Sequence, residues 1–411
     1  MLKLGEKNIS KLYSGNKKIS KAYLGDKLVF ESSKPIFIDY IESTGTQWLD
    51  TGLYLDSYRI VIEAQGTEAP KSNYNILCSH LRDYAGCALF AYNEFWGLKS
   101  DSLTSVSIFG RTKLDATFDI VGGFSHSVLT INGVTTEYQR TSTPPYPRHN
   151  IQIFSSNAST HVYKEFIGKV FGFEIYDLDG NLLMNAKPCL HPKTFEACMY
   201  DTVSKKYLYN QGSGEFIPAP RFIEYIKSTG TQWIDTGILP SYDYTIKVKY
   251  AYTAFKSSYN CIFGARTQAL SEGNQIYWVG CNNNSKELMM RMGKVASTYI
   301  INRNEVYELI INPNEATING TSLGDAMYDG EIGFSKNIRL FSINDDVTSS
   351  ATASFVASAE LYYFQVYDKV MKLIQDLRPC LDPKGVVCMY DMVTGQYFYN
   401  AGTGTFGYTE E

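Results

Sequence analysis

The sequence predicts an all-β chain with two tandem sandwich modules behind a short N-terminal repeat segment. Residues 40–52, YIESTGTQWLDTG, return at 225–237 as YIKSTGTQWIDTG with eleven of thirteen positions identical, so the chain is a tandem duplication with an offset of 185 residues. The abundance of Tyr (32), Phe (22) and Gly (32) favours strands joined by turns. Turn signals recur every eight to twelve residues or so, which is typical of two-sheet sandwiches.

Bulk composition bounds the function classes. The 411 residues predict two to three domains, and an apolar fraction of 44% fits globular structure. The net charge is −4, from 38 basic and 42 acidic residues, so there is no basic field for nucleic acid or anionic lipid. No run approaches the ~18 apolar residues of a membrane helix, and no Sec-type signal is visible. We expect no nucleic-acid partner and no membrane insertion.

Residues 1–35 contain a second, shorter period. Gly5, Gly15 and Gly25 lie ten residues apart, and each is followed two residues later by Lys; Tyr13 and Tyr23 repeat at the same spacing. Each unit predicts a short strand followed by a Gly turn. Three such units cannot bury a core, so we expect them to stack on other chains or dock on a larger assembly. The alternative is a mobile tail with weak repeats.

Within each module, strand and turn signals recur in the same order. Residues 58–64 (YRIVIEA) and 244–250 (YTIKVKY) alternate apolar and polar positions, as half-buried strands do. Asn132-Gly133 and Asn319-Gly320 each follow an apolar strand, which predicts a type I′ hairpin.

Both modules also end alike. The matching segments are PCL at 188–190 and 379–381, MYD at 199–201 and 389–391, YLYN at 207–210 with YFYN at 397–400, and GSGEF at 212–216 with GTGTF at 402–406. We therefore divide the chain into residues 1–35, module 1 at 36–219 and module 2 at 220–411, with the boundary at the proline-rich residues 218–220.

These motifs together resemble a jelly-roll module of concanavalin A-like or laminin-G-like topology, of the kind common in tail and adhesion proteins of phages and prophages. The Gly-x-Lys repeat of residues 1–35 is similar to an N-terminal segment often seen on such tail proteins. The resemblance covers nearly the whole chain. It implies two tandem jelly-roll β-sandwiches, a place on a virion, and modules that bind carbohydrate or act as passive decoration, between which the fold does not choose.

Acidic residues offer only weak catalytic or metal candidates. Asp50 and Asp235 recur in both copies between Thr and Gly neighbours; they could bind calcium or sugar, but a side chain bonding its own turn is the favoured interpretation. Glu174, Asp177 and Asp179 suggest a glycosidase, which would need two carboxylates about 5 Å apart. The second module has a broken set at these positions: Gln365, Asp368 and Val370. We expect no enzyme activity.

The cysteines and histidines indicate no metal site. Cys189, His191 and Cys198 could suggest zinc, but no fourth ligand lies nearby in sequence. The duplicate has Cys380, Asp382 and Cys388, and module 2 contains no histidine. A disulfide within each late cysteine pair is the alternative to free thiols, and assembly in a bacterial cytoplasm favours free thiols. We expect no cofactor and no metal.

Aromatic and loop residues are the better ligand candidates. Trp48 and Trp233 lie inside the repeated motif and are interpreted as packing residues. Trp96 and Trp278 lie near tyrosines and asparagines, where they could stack on sugar, although strand aromatics are more often core. Residues 144–150 and 282–285 are loops private to one module, rich in groups that bind hydroxyls. The glycan-binding candidates are Trp96, Tyr146, Arg148, His149, Trp278, Asn282 and Asn283.

The resulting hypothesis is a phage virion protein of the tail, baseplate or fibre that binds host surface polysaccharide. Residues 1–35, with Tyr13, Tyr23 and the repeat glycines, would attach it to other virion proteins and promote a homo-oligomer such as a trimer. It would assemble in the bacterial cytoplasm and end on the particle surface. The alternative is a decoration or head-fibre protein without a specific ligand.

Overall fold

The computed structural model describes residues 3–4, 7–8, 12–14, 17–19, 21–24, 27–31, 34–68, 75–81, 88–92, 94–98, 103–121, 124–140, 148–155, 164–255, 259–269, 273–291, 296–324, 334–345 and 355–409. Every regular element in this part of the chain is a β-strand, so the predicted all-β class is confirmed. The described residues include no helix that is long and apolar enough to cross a membrane. The chain divides into two compact units, 1–219 and 220–411.

The N-terminal repeat forms three antiparallel hairpins, each joined by a two-residue connection. Their strands are β1 (Lys3–Leu4), β2 (Lys7–Asn8), β3 (Leu12–Ser14), β4 (Lys17–Ile19), β5 (Lys21–Leu24) and β6 (Lys27–Glu31). Tyr13 lies in β3 and Tyr23 in β5, while Gly5, Gly15 and Gly25 lie outside the described residues. Among the described strands, each hairpin pairs only within itself.

Module 1 continues the chain with strands whose side chains alternate between core and outer face. The strands are β7 (Ile36–Phe37), β8 (Ile41–Thr44), β9 (Leu49–Asp50), β10 (Tyr58–Gly66), β11 (Asn75–Leu81), β12 (Ala88–Tyr92), β13 (Phe95–Gly97), β14 (Leu103–Ser107), β15 (Thr112–Val121), β16 (Phe124–Ile131), β17 (Val134–Arg140), β18 (Arg148–Ile153), β19 (Lys164–Glu165), β20 (Ile167–Tyr176), β21 (Leu182–Leu190), β22 (Ala197–Asp201), β23 (Lys206–Leu208) and β24 (Ile217–Pro218).

Two sheets enclose the core of module 1. The larger has 11 strands in the order β17-β16-β15-β10-β20-β21-β22-β23, with β7 beside β21 and with β8 between β20 and β24. The smaller has seven, in the order β14-β13-β12-β11-β18-β9, with β19 beside β11. Ile60 and Phe118 of the large sheet pack in one buried cluster with Leu77 and Ile153 of the small sheet. The module is therefore a two-sheet sandwich, as predicted.

Module 2 repeats the architecture. Its strands are β25 (Arg221–Phe222), β26 (Ile226–Thr229), β27 (Ile234–Asp235), β28 (Thr245–Ala254), β29 (Tyr259–Ala269), β30 (Gly273–Asn282), β31 (Glu287–Arg291), β32 (Ala296–Ile300), β33 (Tyr307–Ile311), β34 (Ala316–Ile318), β35 (Thr321–Gly324), β36 (Arg339–Leu340), β37 (Ile343–Asp345), β38 (Ser358–Tyr367), β39 (Leu373–Leu381), β40 (Val387–Asp391), β41 (Tyr397–Phe398) and β42 (Gly407–Tyr408).

The sheet orders of module 2 match those of module 1. The large sheet again has 11 strands, ordered β35-β34-β33-β28-β38-β39-β40-β41, with β25 beside β39 and with β26 between β38 and β42. The small sheet has seven, ordered β27-β36-β29-β30-β31-β32, with β37 beside β29. Val248 and Phe364 of the large sheet share a buried cluster with Phe263 and Leu340 of the small sheet. Both modules are thus jelly-roll sandwiches.

The repeated 13-residue motif joins the two ends of its module. In module 1 the backbone N–H of Trp48 donates to the side-chain oxygen of Asn210 at 3.1 Å, and the N–H of Ser213 donates to the carbonyl of Thr46 at 3.0 Å. A Cβ at Gly212 would lie 2.0 Å from that carbonyl oxygen, so only glycine fits. Module 2 repeats the contact, with 2.1 Å at its equivalent glycine. The near-identity of the motif is explained by this closure.

Two local predictions are confirmed. Asn132 and Gly133 have φ values of 51° and 79°, as the two central residues of a type I′ turn require, and module 2 has the same turn at its Asn-Gly pair. The side chain of Asp50 accepts the N–H of Gly52 at 2.8 Å, and module 2 repeats this bond at 3.0 Å. The repeated aspartates therefore stabilise their own turns.

Candidate functional site

One end of the large sheet presents aromatic side chains on its outer face. In β22, Ala197 and Met199 point into the core. Side chains alternate along a strand, so Cys198 and Tyr200 point to the opposite face. Strand β23 places Tyr207 directly across from Tyr200, which brings both rings to that outer face.

Four rings form a row there in module 1, which we name row 1: Phe37, Tyr200, Tyr207 and Tyr209. Successive ring centroids are 6.3, 5.0 and 6.0 Å apart along this order. The last two rings are within 28° of parallel. Phe37 lies in β7 and is 51% exposed, so the row is open to solvent at this end.

Module 2 has the same arrangement, row 2, formed by Phe222, Tyr390, Tyr397 and Tyr399. The successive centroid distances are 6.3, 5.0 and 6.3 Å, and the last two rings are 29° from parallel. Phe222 is 51% exposed and Tyr399 46% exposed. Both copies therefore keep not only the residue types but also the spacing and tilt of the rings.

A buried thiol pair lies on the same face as each row. Cys189 and Cys198 are directly opposite in the β21–β22 pairing, and their sulfur atoms are 3.6 Å apart. In module 2 the sulfur atoms of Cys380 and Cys388 are 3.5 Å apart. These distances exceed the ~2.05 Å of a disulfide, and all four thiols are free and buried. They act as small apolar packing groups on the outer face.

The hydroxyls of Tyr207, Tyr209 and Tyr399 have pKa values raised above the usual tyrosine value. Burial, followed by the nearby Cys189 and Cys198, raises the pKa of Tyr207 to about 12, and burial also raises the pKa of Tyr209. Burial and Asp382 raise the pKa of Tyr399 to about 12. Each hydroxyl can therefore act as a neutral hydrogen-bond donor or acceptor at physiological pH.

The rows differ at one end. In module 1 the ring of His191 lies edge-on to Tyr207, with centroids 4.9 Å apart. In module 2 the corresponding residue is Asp382, which accepts the hydroxyl of Tyr399 at 3.2 Å. The two rows thus present the same ring faces beside different polar neighbours.

The two tryptophan candidates are not at a surface. Trp96 is fully buried and its ring lies 5.5 Å from that of Phe166. Trp278 is 6% exposed and packs edge-on to Tyr259 at 5.8 Å. Neither ring offers an exposed face for the sugar stacking predicted at Trp96 and Trp278. Trp96 faces the core of module 1, whereas Trp278 lies in a separate buried cluster with Cys261 and Ile343, on the face opposite the core.

The loop candidates are used locally or lie outside the described residues. The side-chain oxygen of Asn282 accepts the N–H of Asn284 at 2.8 Å, and the side-chain oxygen of Asn283 accepts the ammonium of Lys286 at 3.0 Å. The ring of His149 is half-buried, and its Nδ1 lies 2.6 Å from the carbonyl oxygen of Asn150. Tyr146 lies outside the described residues, as does the side chain of Arg148, whose backbone begins β18.

The carboxylates named as glycosidase candidates are engaged in structural bonds. Glu174 accepts the hydroxyl of Tyr176 at 2.7 Å and the amide of Asn185 at 3.1 Å. Asp177 accepts the backbone and side-chain nitrogens of Asn181, which close a turn and lower the pKa of its carboxyl. Within the described part of the chain, no three His, Cys, Asp or Glu side chains are grouped to hold a metal ion.

The rows were missed in the sequence because their members are dispersed. Tyr207-x-Tyr209 and Tyr397-x-Tyr399 are visible as repeated alternating pairs, and the period of two already puts both rings of each pair on one face. What the sequence does not provide is the pairing of β7 with β21, which brings Phe37 next to Tyr200.

Comparisons with known proteins identify no family. No protein-family model matches the chain, and no curated protein matches it. Among solved structures, domains LG4-5 of the mouse laminin alpha1 chain are similar, with 7% identity, a TM-score of 0.30 and coverage of 84% of this chain and 92% of that one. The LG1-3 region of the laminin alpha2 chain is similar at 9% identity and a TM-score of 0.32, with coverage of 86% and 68%. At these values the likeness carries no conclusion about a ligand.

Proposed function

We propose that the chain is a non-catalytic glycan-binding protein whose ligand lies along the aromatic rows. The observation that supports this is the recurrence of row 1 and row 2 with the same ring spacing in two modules that have diverged elsewhere. Contiguous exposed apolar patches mark interaction surfaces, whereas single exposed apolar residues are normal on a protein surface. Tyrosines combine a flat apolar face with a hydroxyl, which suits ligands that offer both C–H faces and hydroxyl groups.

Binding would be shallow and strengthened by repetition. Each ring face stacks on one apolar face of a sugar, and the protonated hydroxyls of Tyr207, Tyr209 and Tyr399 bond to sugar hydroxyls. Two rows on one chain allow a polysaccharide to engage a second site after the first. Such linkage raises apparent affinity without any new contact.

The test is binding of the full chain to a panel of bacterial cell-wall and capsular polysaccharides immobilised on a surface. We expect saturable binding that weakens in Tyr209→Ala and in Tyr399→Ala and is lost in the double variant. Stacking on one aromatic ring contributes about 1–3 kcal/mol in the comparable case of nucleic-acid bases, so each single change should weaken its site roughly fivefold to hundredfold.

Tyr54→Ala is the matched control, because Tyr54 is 61% exposed and lies outside both rows. Its variant should bind as the unaltered chain does. Equal binding by the control and the double row variant would refute the assignment to the rows. If even a multivalent display of the chain binds no polysaccharide, the alternative of a virion decoration without ligand is favoured.

We propose, further, that residues 1–35 attach the chain to other proteins of a phage tail, baseplate or fibre and join its copies into an oligomer. Two-stranded hairpins are marginally stable in isolation, and the three hairpins of this segment pair only within themselves among the described strands. Contact with further copies or with a larger assembly would supply the missing burial.

This second proposal is tested by comparing the full chain with residues 36–411 in light scattering coupled to size exclusion. We expect an oligomer, such as a trimer, for the full chain and a monomer for the shortened one. An oligomer that survives removal of residues 1–35, or a monomeric full chain, would contradict it. Labelled antibody against the chain should then locate it on phage particles from the producing host.

A further inference from the structure

A groove of about 570 Å³ crosses the outer face of the large sheet in module 1. Its floor is formed by β15, β10, β20 and β21, and its volume lies within the ~300–1,000 Å³ usual for small-ligand sites. Phe37, the first ring of row 1, lines one part of it, and Phe171 lines another. The groove and row 1 are therefore parts of one surface that meet at Phe37.

The groove exists because module 1 has a glycine where module 2 has a tyrosine. In the large sheet of module 1, Glu63 pairs with Gly172 at the position before a bulge. In module 2, Lys249 pairs with Tyr363 at the position before the equivalent bulge. The two registers make Gly172 and Tyr363 counterparts.

In module 2 the tyrosine occupies this region with partners of its own. The hydroxyl of Tyr363 donates to the carboxylate of Glu308, and the guanidinium of Arg378 lies 5.0 Å from the centroid of the Tyr363 ring. Arg378 also forms an ion pair with Asp376 at 2.7 Å. Glu308, Arg378 and Asp376 thus have partners within module 2, and the ring of Tyr363 occupies the space between them.

In module 1 the carboxylates that line the groove are likewise engaged. The guanidinium of Arg111 binds both oxygens of Glu63, at 2.7 and 3.1 Å, and lies 3.2 Å from an oxygen of Asp39. Glu174 accepts hydrogen bonds from Asn185 and from a neighbouring tyrosine. Each of these carboxylates thus has a partner within the protein: Glu63 and Asp39 share Arg111, and Glu174 accepts hydrogen bonds from two neutral groups.

The lysines that line the groove are different. Lys113 and Lys187 are exposed at the groove, and neither forms an ion pair or side-chain hydrogen bond within the described part of the chain. Glu308 of module 2 is the counterpart of Lys113. Lys113 pairs with Glu63, the strand partner of Gly172, and Glu308 pairs with Lys249, the strand partner of Tyr363. The charge at this one position is therefore reversed between the modules, while the residue opposite it changes from Glu63 to Lys249. Lys187 has the cation Arg378 as its counterpart.

We propose that this groove binds an acidic sugar ring, a pyranose that carries a carboxylate, as one unit of a glycan that continues along row 1. The ring packs beside Phe37, and its carboxylate pairs with Lys187 or Lys113. In module 2 the ring of Tyr363 takes up this space, and Arg378, the counterpart of Lys187, is already paired with Asp376. This proposal rests on the proposed glycan-binding function and adds to it the ligand class and the module.

The experiment is calorimetric titration of the full chain with a trimer of galacturonic acid and, separately, with a neutral trimer of galactose. We expect the acidic trimer to bind more tightly, with one tight site per chain. Lys187→Gln should weaken the acidic trimer about tenfold, the usual effect of losing one charge-assisted hydrogen bond, and leave the neutral trimer unchanged. Lys384→Gln, an exposed lysine of module 2, is the control and should change neither.

A second variant tests the space rather than the charge. Gly172→Tyr copies module 2 and should remove the tight acidic site while row 1 still binds the neutral trimer. Gly172 has a φ of 152° and a Cβ there would lie 3.3 Å from the carbonyl of Ala186, so the thermal unfolding of this variant must first be shown to be unchanged. If Gly172→Tyr proves to be destabilised, the Lys187→Gln variant still tests the proposal.

The outcomes separate this proposal from the general one. If both trimers bind equally and Lys187→Gln has no effect, the groove assignment is overturned while glycan binding along the rows stands. If the acidic trimer binds with two equal sites per chain, the restriction to module 1 is overturned. If neither trimer nor any polysaccharide of the panel binds, both proposals fail together.

Discussion

Gly212→Ala should open the closure of module 1, and its effect can be worked out from the geometry. Gly212 has no left-handed φ, so an alanine is allowed by its backbone and only the surroundings oppose it. An added Cβ would lie 2.0 Å from the carbonyl oxygen of Thr46 and 2.9 Å from the indole of Trp48. Non-bonded carbon atoms do not approach backbone oxygens below about 3 Å, so the turn must withdraw by roughly 1 Å.

That withdrawal breaks the hydrogen bonds that close the sandwich. The bonds from Ser213 N–H to Thr46 and from Gln211 N–H to Trp48 are 3.0 and 2.8 Å long and would exceed hydrogen-bond length. The side-chain bond from Thr46 to the carbonyl of Ser213, 2.9 Å long, would be lost with them. Each contributes about 0.5–1.5 kcal/mol, less where solvent replaces it, so we expect a loss of about 2–3 kcal/mol.

Differential scanning calorimetry of the full chain is the assay, because two modules with separate cores should give two transitions. A loss of this size should lower the transition of module 1 by roughly 4–12 °C and leave the other unchanged. Gly402→Ala should do the reverse, which assigns the transitions. Gly110→Ala is the matched control, since no atom lies within 4 Å of its added Cβ. A shift in Gly212→Ala no larger than in Gly110→Ala would refute the reasoning.

Three further predictions concern titration and thiols. Burial acts to raise the pKa of Asp201, but bonds from Ser204 and neighbouring backbone N–H groups outweigh it and lower the pKa. Its stabilisation is therefore present above about pH 4, the ordinary pKa of Asp, and is lost as the pH falls below that value. Asp201→Asn should flatten the dependence of the urea midpoint on pH below about pH 4. The Cys189–Cys198 pair should be in the reduced form. Protein unfolded without added reductant should therefore expose both thiols to a maleimide, and failure of the pair to react would contradict this. Tyr207, with a pKa raised to about 12, loses its favourable contribution as the pH rises from about 10 to 12; Tyr207→Phe should remove one tyrosine from the late step of an absorbance titration.

The duplication explains how much of the fold the sequence predicted. Asp50, Trp48 and Gly212 are kept in both copies, and the structure gives them scaffold roles in turns and closure. Asn132-Gly133 is predictable because a two-residue turn with two positive φ values accepts few other sequences. These signals are local, so a single sequence contains them.

The candidate site was predicted less well, because it depends on which face of each strand meets solvent. Trp96 lies in a short strand of the small sheet, and three residues are too few to show an alternating pattern. Row 1 combines Phe37 of β7 with three tyrosines in and just after β22 and β23, and Phe37 precedes Tyr200 by more than 160 positions. Only the sheet order brings them together, and sheet order is a tertiary property.

The groove depends on a single difference between the two copies. When the segments FEIYD (173–177) and FQVYD (364–368) are aligned, the residues just before them are Gly172 and Tyr363. The change is from no side chain to one of the largest. The difference is visible in the sequence, but its meaning depends on the outer face having Lys113 on one copy and Glu308 on the other. A duplicated scaffold that keeps its closure and its aromatic row, yet opens a charged groove in one copy and fills it in the other, has separated a shared surface from a private one. Under the proposals made above, both modules bind glycan along their rows and only module 1 distinguishes an acidic sugar.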